Sequence, residues 1–125
     1  MIDSNFIKNS KLSIQNVSRE TLDELNKYSL SIIKKNREIN LISSSTEKSI
    51  NTRHIVDSAQ ILDFINKNDV NICTDLGSGA GLPGIVLAIL MKPKKPEFKV
   101  IFYEKSYHKS NFLKEISKKF KLNTE

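Results

Sequence analysis

Every glycine in this chain falls inside one stretch, Asp75-Leu-Gly-Ser-Gly-Ala-Gly-Leu-Pro-Gly84. Glycine tolerates backbone angles closed to other residues and lets a neighbour approach without a Cβ in the way. A chain that uses it nowhere else is using it here for geometry. The apolar run Val70-Asn-Ile-Cys-Thr precedes the stretch, and a second run from Ile85 to Met91 follows it. Strand, glycine turn and helix is the pattern that results. Such a turn is expected to bring backbone close to a ligand, with N–H groups pointing outward at the start of the helix.

The periodicity on either side supports an α/β chain. Residues 1–17 are weakly patterned, and Phe6, Ile7, Leu12, Ile14 and Val17 predict a short docking helix or an ordered arm. Ser18 has the character of an N-cap. Leu22, Leu25, Tyr28, Ile32 and Ile33 then recur at helical spacing, which predicts a helix over about 19–37. After a turn at 39–45, Ser45 or Thr46 is expected to cap a second helical stretch. Its stripe is Ile50, Ile55, Ala59, Leu62 and Ile65, with a break near Asn51. Asn66-Lys-Asn-Asp69 ends that stripe with turn-forming residues. This gives a helical segment over 1–66 and a second unit over 67–125.

In the second unit the period changes. Val70 to Leu76 is short and apolar, as a parallel strand buried on both faces would be. Leu82 to Met91 is expected to be a helix with Pro83 in its first turn, where a missing N–H does no harm. Pro93 and Pro96 stop it, and Phe98 to Tyr103 reads as a second strand. Ser106 caps a last helix with Phe112, Leu113, Ile116 and Phe120 on one face. The βαβα order predicts a parallel sheet with a right-handed crossover.

The formal charge of +6 is gathered in the later half, from Lys92, Lys94, Lys95 and Lys99 onward through Lys105, Lys109, Lys114, Lys118, Lys119 and Lys121. A field of that sign favours a polyanionic partner. The one cysteine, Cys73, lies in the first strand and is expected to be a small buried apolar residue. No metal-ligand spacing and no run of apolar residues long enough for a membrane span is present. The start of the chain lacks the pattern of a secretory signal, so a cytoplasmic protein without metal is expected.

Two glycine fingerprints overlap in the loop. Gly79-Ala-Gly81-Leu-Pro-Gly84 matches the dinucleotide pattern, with Glu104 following near a strand end. Asp75-Leu-Gly77-Ser-Gly79-Ala-Gly81 instead fits a site for a nucleoside bearing a methionine. Asp75 separates the two: a pyrophosphate would be repelled by it, whereas an ammonium and a sulfonium would not. Glu104 is placed to accept from both ribose hydroxyls. S-adenosylmethionine is the favoured ligand, with a nicotinamide dinucleotide as the alternative.

The chain resembles the N-terminal part of the RsmG (GidB) family of ribosomal RNA methyltransferases. The residues that carry the likeness are Asn40-Leu41, Arg53-His54-Ile-Val-Asp57-Ser58, the loop Asp75–Gly84, and Glu104 through Phe112-Leu113. The resemblance implies a class I, Rossmann-like methyltransferase fold that uses S-adenosylmethionine to methylate N7 of a guanine in 16S ribosomal RNA of the small subunit. By the same resemblance, Asp75, Gly77, Ser78, Gly79, Gly81, Leu82 and Glu104 would bind the cofactor. Arg53, His54 and Asp57 would support the site, His54 and Asp57 by bracing the loop; Arg53, Lys94, Lys95 and Lys109 would face RNA. No residue is singled out as a general base, because guanine N7 carries a free lone pair. Two departures stand out: His108-Lys109 occupies a place where relatives usually have Lys-Arg, and Lys35 stands where many have tryptophan. The likeness covers only the first half of the family's length. The fold is therefore expected to be truncated after the second strand and its helix, in a split or inactive copy, with a third strand due near Lys121–Glu125. Outside the family, the alternatives are a fragment of a nicotinamide-dependent oxidoreductase and a non-catalytic RNA-binding module.

Overall fold

Ser18 opens helix α1 (Arg19–Lys35), the first among the described residues, by accepting the Thr21 N–H on its side-chain oxygen at 3.1 Å. That satisfies one of the donors a helix start leaves unpaired. This computed structural model describes residues 17–125, together with the backbone but not the side chains of Asn66 and Lys67. The docking helix or arm expected over 1–17 lies, but for Val17, outside the described residues. Leu25, Tyr28 and Ile32 form the buried stripe of α1, with Leu22 and Ile33 half-buried beside them. Asn36 then fixes the turn that follows. Its Oδ1 accepts from the N–H groups of Leu41 and Ile42 at 2.9 and 3.0 Å, which seats both side chains in the core.

The second helix, α2 (Ser44–Glu47), is one turn long, and its N-cap is Ser43. The expected caps, Ser45 and Thr46, lie inside it. Thr46 uses its hydroxyl on the Ser43 carbonyl and on His54 instead. The break expected near Asn51 is a π-helical turn, Asn51–Val56, followed by α3 (Asp57–Ala59) and α4 (Ile61–Asn68). The cause is readable in the stripe. The step from Ile50 to Ile55 is too long for an α-helical turn of 3.6 residues. A π turn, with i→i+5 bonds, returns both to one face, and both are buried there with Ala59, Leu62 and Ile65.

The sheet has two parallel strands, β1 (Ile72–Leu76) and β2 (Lys99–Tyr103), in register from Ile72↔Lys99 to Leu76↔Tyr103. Between them runs α5 (Gly84–Met91), every residue of which is buried. Pro83 is the N-cap of α5 rather than a residue of its first turn. After β2 comes α6 (Tyr107–Lys119), capped by Ser106 as expected, with Phe112, Leu113 and Ile116 buried and Phe120 buried just beyond its end. Beyond the two strands, an isolated parallel bridge joins Thr124 to Val100 on the other side of β2 from β1. One core joins α1, the π turn, α5, β2 and α6.

One expectation about β1 fails. It is not buried on both faces: Ile72 is 56% and Leu76 76% exposed, and Tyr103 beside Leu76 on β2 is 60% exposed. The alternate face, with Asp75 and Phe102, is the one α5 packs on. Cys73, on that covered face, is half-buried rather than buried. Among the described residues no helix is long and apolar enough to cross a membrane.

Candidate functional site

The glycine loop joins β1 to α5, and its backbone donors are largely turned inward. Gly77 and Ser78 donate to the Tyr103 carbonyl at 2.8 and 3.3 Å, and Gly81 donates to the Ser78 carbonyl at 2.8 Å. The Gly79 N–H meets Glu104 Oε2 at 2.7 Å, and the Gly84 N–H meets Asp75 Oδ2 at 3.1 Å. Ser78 is buried, and its hydroxyl donates to the Asp75 carbonyl at 2.9 Å. This corrects the expectation of N–H groups directed outward. The reason is that the two carboxylates and two carbonyls nearby already accept them.

The open side of the loop is made by glycines. Gly79 has a φ of +56°, where a Cβ is strained, and a Cβ added there would meet nothing within 4 Å. Gly84 is the opposite case, with ordinary backbone and no room, since an added Cβ would run into the Phe102 ring. It lets the start of α5 lie directly against the Asp75–Phe102 pair of the sheet. Leu82 is half-buried on the loop between these glycines.

The two acids differ in setting. Asp75 is buried, and that burial holds its carboxyl above the ordinary carboxylate range. The Gly84 N–H opposes the shift, and the Glu104 charge adds to it. Its carboxylate sits at the first turn of α5, where a helix start favours an anion. Glu104 lies just past β2 and is held below the ordinary range, first by the Ser106 N–H at 2.9 Å, then by the Gly79 N–H, with the Lys109 charge assisting. A cavity of about 370 Å³ opens beside Glu104 between Phe102 and the Ser110, Leu113 and Lys114 side of α6.

The residues before the loop fall differently from expectation. His54 does not brace the loop: its Nε2 pairs with the Thr46 hydroxyl at 3.0 Å, and burial holds the ring below its usual pKa. Asp57 is exposed and has no hydrogen bond to the loop, so it does not brace it either. Arg53 is exposed on the π turn and forms no ion pair with Asp57. The π turn changes the spacing that an i,i+4 pair needs. Among the basic candidates, Lys94 is exposed and Lys109 half-buried in the first turn of α6. Lys95 is committed to structure, with its Nζ 2.9 Å from Asp69 Oδ1 and 3.4 Å from the Val70 carbonyl.

The brace on the loop is Tyr28. Its hydroxyl, fully buried, donates to the Ala80 carbonyl at 2.7 Å. Burial, and then the Asp75 charge, push the phenol well above its usual pKa, so it stays a donor. In the sequence Tyr28 is one member of an apolar stripe. The available signal was a hydroxyl among aliphatic side chains, which a buried position must satisfy.

The family model described as rRNA small subunit methyltransferase G (GidB) matches residues 21–125. The chain is 51% identical over 116 residues to the protein of that name from Pelagibacter ubique (strain HTCC1062), covering 91% of this chain and 54% of the relative. A relative of the same name from Bartonella henselae is 52% identical over 82 residues, 66% of this chain and 37% of its own length. One from Cereibacter sphaeroides (strain ATCC 17029 / ATH 2.4.9) is 38% identical over 116 residues, 93% of this chain and 56% of its own length. The chain thus spans about half the length of the curated relatives it matches.

Proposed function

We propose, from the premise that this chain belongs to the rRNA small subunit methyltransferase G (GidB) family, that its loop binds S-adenosylmethionine for methyl transfer to N7 of a guanine in small-subunit ribosomal RNA. The observation that carries the cofactor choice is Asp75. Its carboxylate already occupies the N-terminus of α5 through the Gly84 N–H. That is the place where a dinucleotide would set its pyrophosphate, so a second anion there would meet a buried negative charge. A cationic sulfonium and ammonium would meet an attractive one.

The residues present suit such a ligand. Gly77 and Gly79 leave the outer side of the loop clear of side chains, so a thin methionine portion can lie along the backbone. Glu104 borders the cavity between β2 and α6, and its carboxylate would accept from ribose hydroxyls. The cofactor, when bound, supplies a methyl group on a positively charged sulfur. The protein's part is to hold the guanine in line and to exclude water. No general base is required, because N7 has a lone pair and no proton to lose. Arg53, Lys94 and Lys109 are the candidate cations to steady phosphate, while Lys95 is already paired with Asp69. The parallel order β1–β2, with the parallel bridge at Thr124 on the far side of β2, supports the Rossmann-like class.

The test is transfer of a labelled methyl group to unmodified small subunits. It is run with this chain alone and with the chain mixed with the second half of the Pelagibacter relative. Label recovered at a guanine N7 in either arm supports the proposal. No label in both arms, with nicotinamide dinucleotide bound in place of S-adenosylmethionine, refutes it.

A further inference from the structure

Tyr28 holds more than a contact. The Ala80 carbonyl it bonds belongs to the Ala80–Gly81 peptide, and the N–H of that same unit donates to the Ser78 carbonyl at 2.8 Å. One planar peptide is therefore fixed at both ends. Gly77, Gly79 and Gly81 all have positive φ, so the loop backbone has alternative states open to it. A bond at its middle selects one of them. The next residue of α1 acts on the other side: Ser29, also buried, has its hydroxyl 3.1 Å from Asn51 Oδ1. Asn51 is the first residue of the π turn that carries Arg53. Two consecutive side chains of one helix thus tie the glycine loop and the π turn to the same point. A phenylalanine would fill the space of Tyr28 as well, so packing alone does not account for the hydroxyl.

We propose that Tyr28 is a positioning residue for the ligand of the glycine loop, and that α1 is a strut setting the loop and the π turn in a fixed relation. The proposal rests on the loop being the cofactor site. The loop's order is set by the Tyr28 hydroxyl, so the cofactor meets a backbone already in its bound shape and loses less affinity to ordering it. Substrate-side residues on the π turn share that reference point through Ser29.

The test uses the 125-residue chain. Tyr28→Phe keeps the ring and removes the bond. Amide hydrogen exchange is followed across residues 77–84 without ligand, and S-adenosylmethionine affinity is measured by calorimetry. Exchange in the loop is expected to accelerate about tenfold and affinity to fall about tenfold, the effect of one lost buried hydrogen bond. Leu25→Val, one turn earlier on α1 and equally buried, should lower the melting temperature yet leave loop exchange at the wild-type rate. Ser29→Ala should accelerate exchange over residues 51–56. If Tyr28→Phe does not fold, the Ser29→Ala result decides the strut. Unchanged loop exchange in a folded Tyr28→Phe overturns the proposal, as does unchanged exchange at 51–56 in Ser29→Ala. A folded wild-type chain that binds no S-adenosylmethionine refutes the cofactor assignment and the ligand role of Tyr28, while the exchange rates still decide whether α1 is the strut.

Discussion

Gly84→Ala tests how the helix start meets the sheet. Gly84 has no positive φ, so its backbone suits alanine, and a glycine-to-alanine change in a helix is ordinarily worth about 0.5–1 kcal/mol of added stability. Here the added methyl would strike the Phe102 ring and stand 2.8 Å from Asp75 Oδ2. Overpacking of that kind costs about 1–3 kcal/mol. The steric term exceeds the propensity term, and the expected net loss is about 1–2 kcal/mol, a drop of some ~4–8 °C in melting temperature. The assay is urea unfolding of wild type, Gly84→Ala, Phe102→Val and the double variant. Removing the ring relieves the clash, so the double variant should lose about 1 kcal/mol less than the two single losses together. Additive losses, or a Gly84→Ala chain more stable than wild type, would refute the close approach of α5 to the Asp75–Phe102 pair.

Lys92→Met should destabilise the fold by about 1–2 kcal/mol in the same assay. The ammonium joins Glu24 on α1, at 2.7 Å, to the Phe120 carbonyl at the end of α6, at 2.8 Å, and both acceptors lose their partner; a loss below about 0.5 kcal/mol would contradict that role. Stability should also report on Glu104. Its pKa in the fold lies below its ordinary 4.5, so its contribution is complete above pH 4.5 and disappears as pH falls through the lower folded value. Asp75 has the reverse sign: its folded pKa lies above 3.8, so its protonated form is favoured and stability declines as pH rises from 3.8 through the folded value. Glu104→Gln should therefore remove the acid-side loss and reduce, without abolishing, the Asp75 slope, because burial still raises Asp75 while the Glu104 charge no longer adds to it, measured as urea midpoints between pH 3 and 6; an unchanged profile would contradict the loop contacts of Glu104.

The parts of the fold set by spacing were legible in the sequence. The stripe of α1, the cap at Ser18 and the cap at Ser106 follow from local spacing, and the parallel pair of strands follows from the βαβα order. The π turn was half-legible, because the step from Ile50 to Ile55 shows that an α-helix cannot continue without showing what replaces it. The cap at Ser43 was not: Ser43, Ser44 and Ser45 are chemically alike, and which of them opens the helix depends on the turn that Asn36 fixes before them. The two faces of β1 were misjudged because an apolar run cannot say how many neighbours cover it. Within the site, Asp75 and Glu104 stood out by charge. What they bond to did not, because Gly84 and Gly79 meet them only once α5 and β2 are in place. His54 and Asp57 lay near the loop in sequence, whereas Tyr28, far from it in sequence, is the residue that touches it.

The central claim is that Asp75 and Glu104 make the glycine loop a sulfonium-nucleoside site. Isothermal titration of the chain with S-adenosylmethionine and with NAD, at one pH and salt, tests it most directly. The nucleoside is expected to bind at least about tenfold more tightly, a difference of about 1.4 kcal/mol. Equal affinity, or tighter binding of NAD, would contradict the assignment.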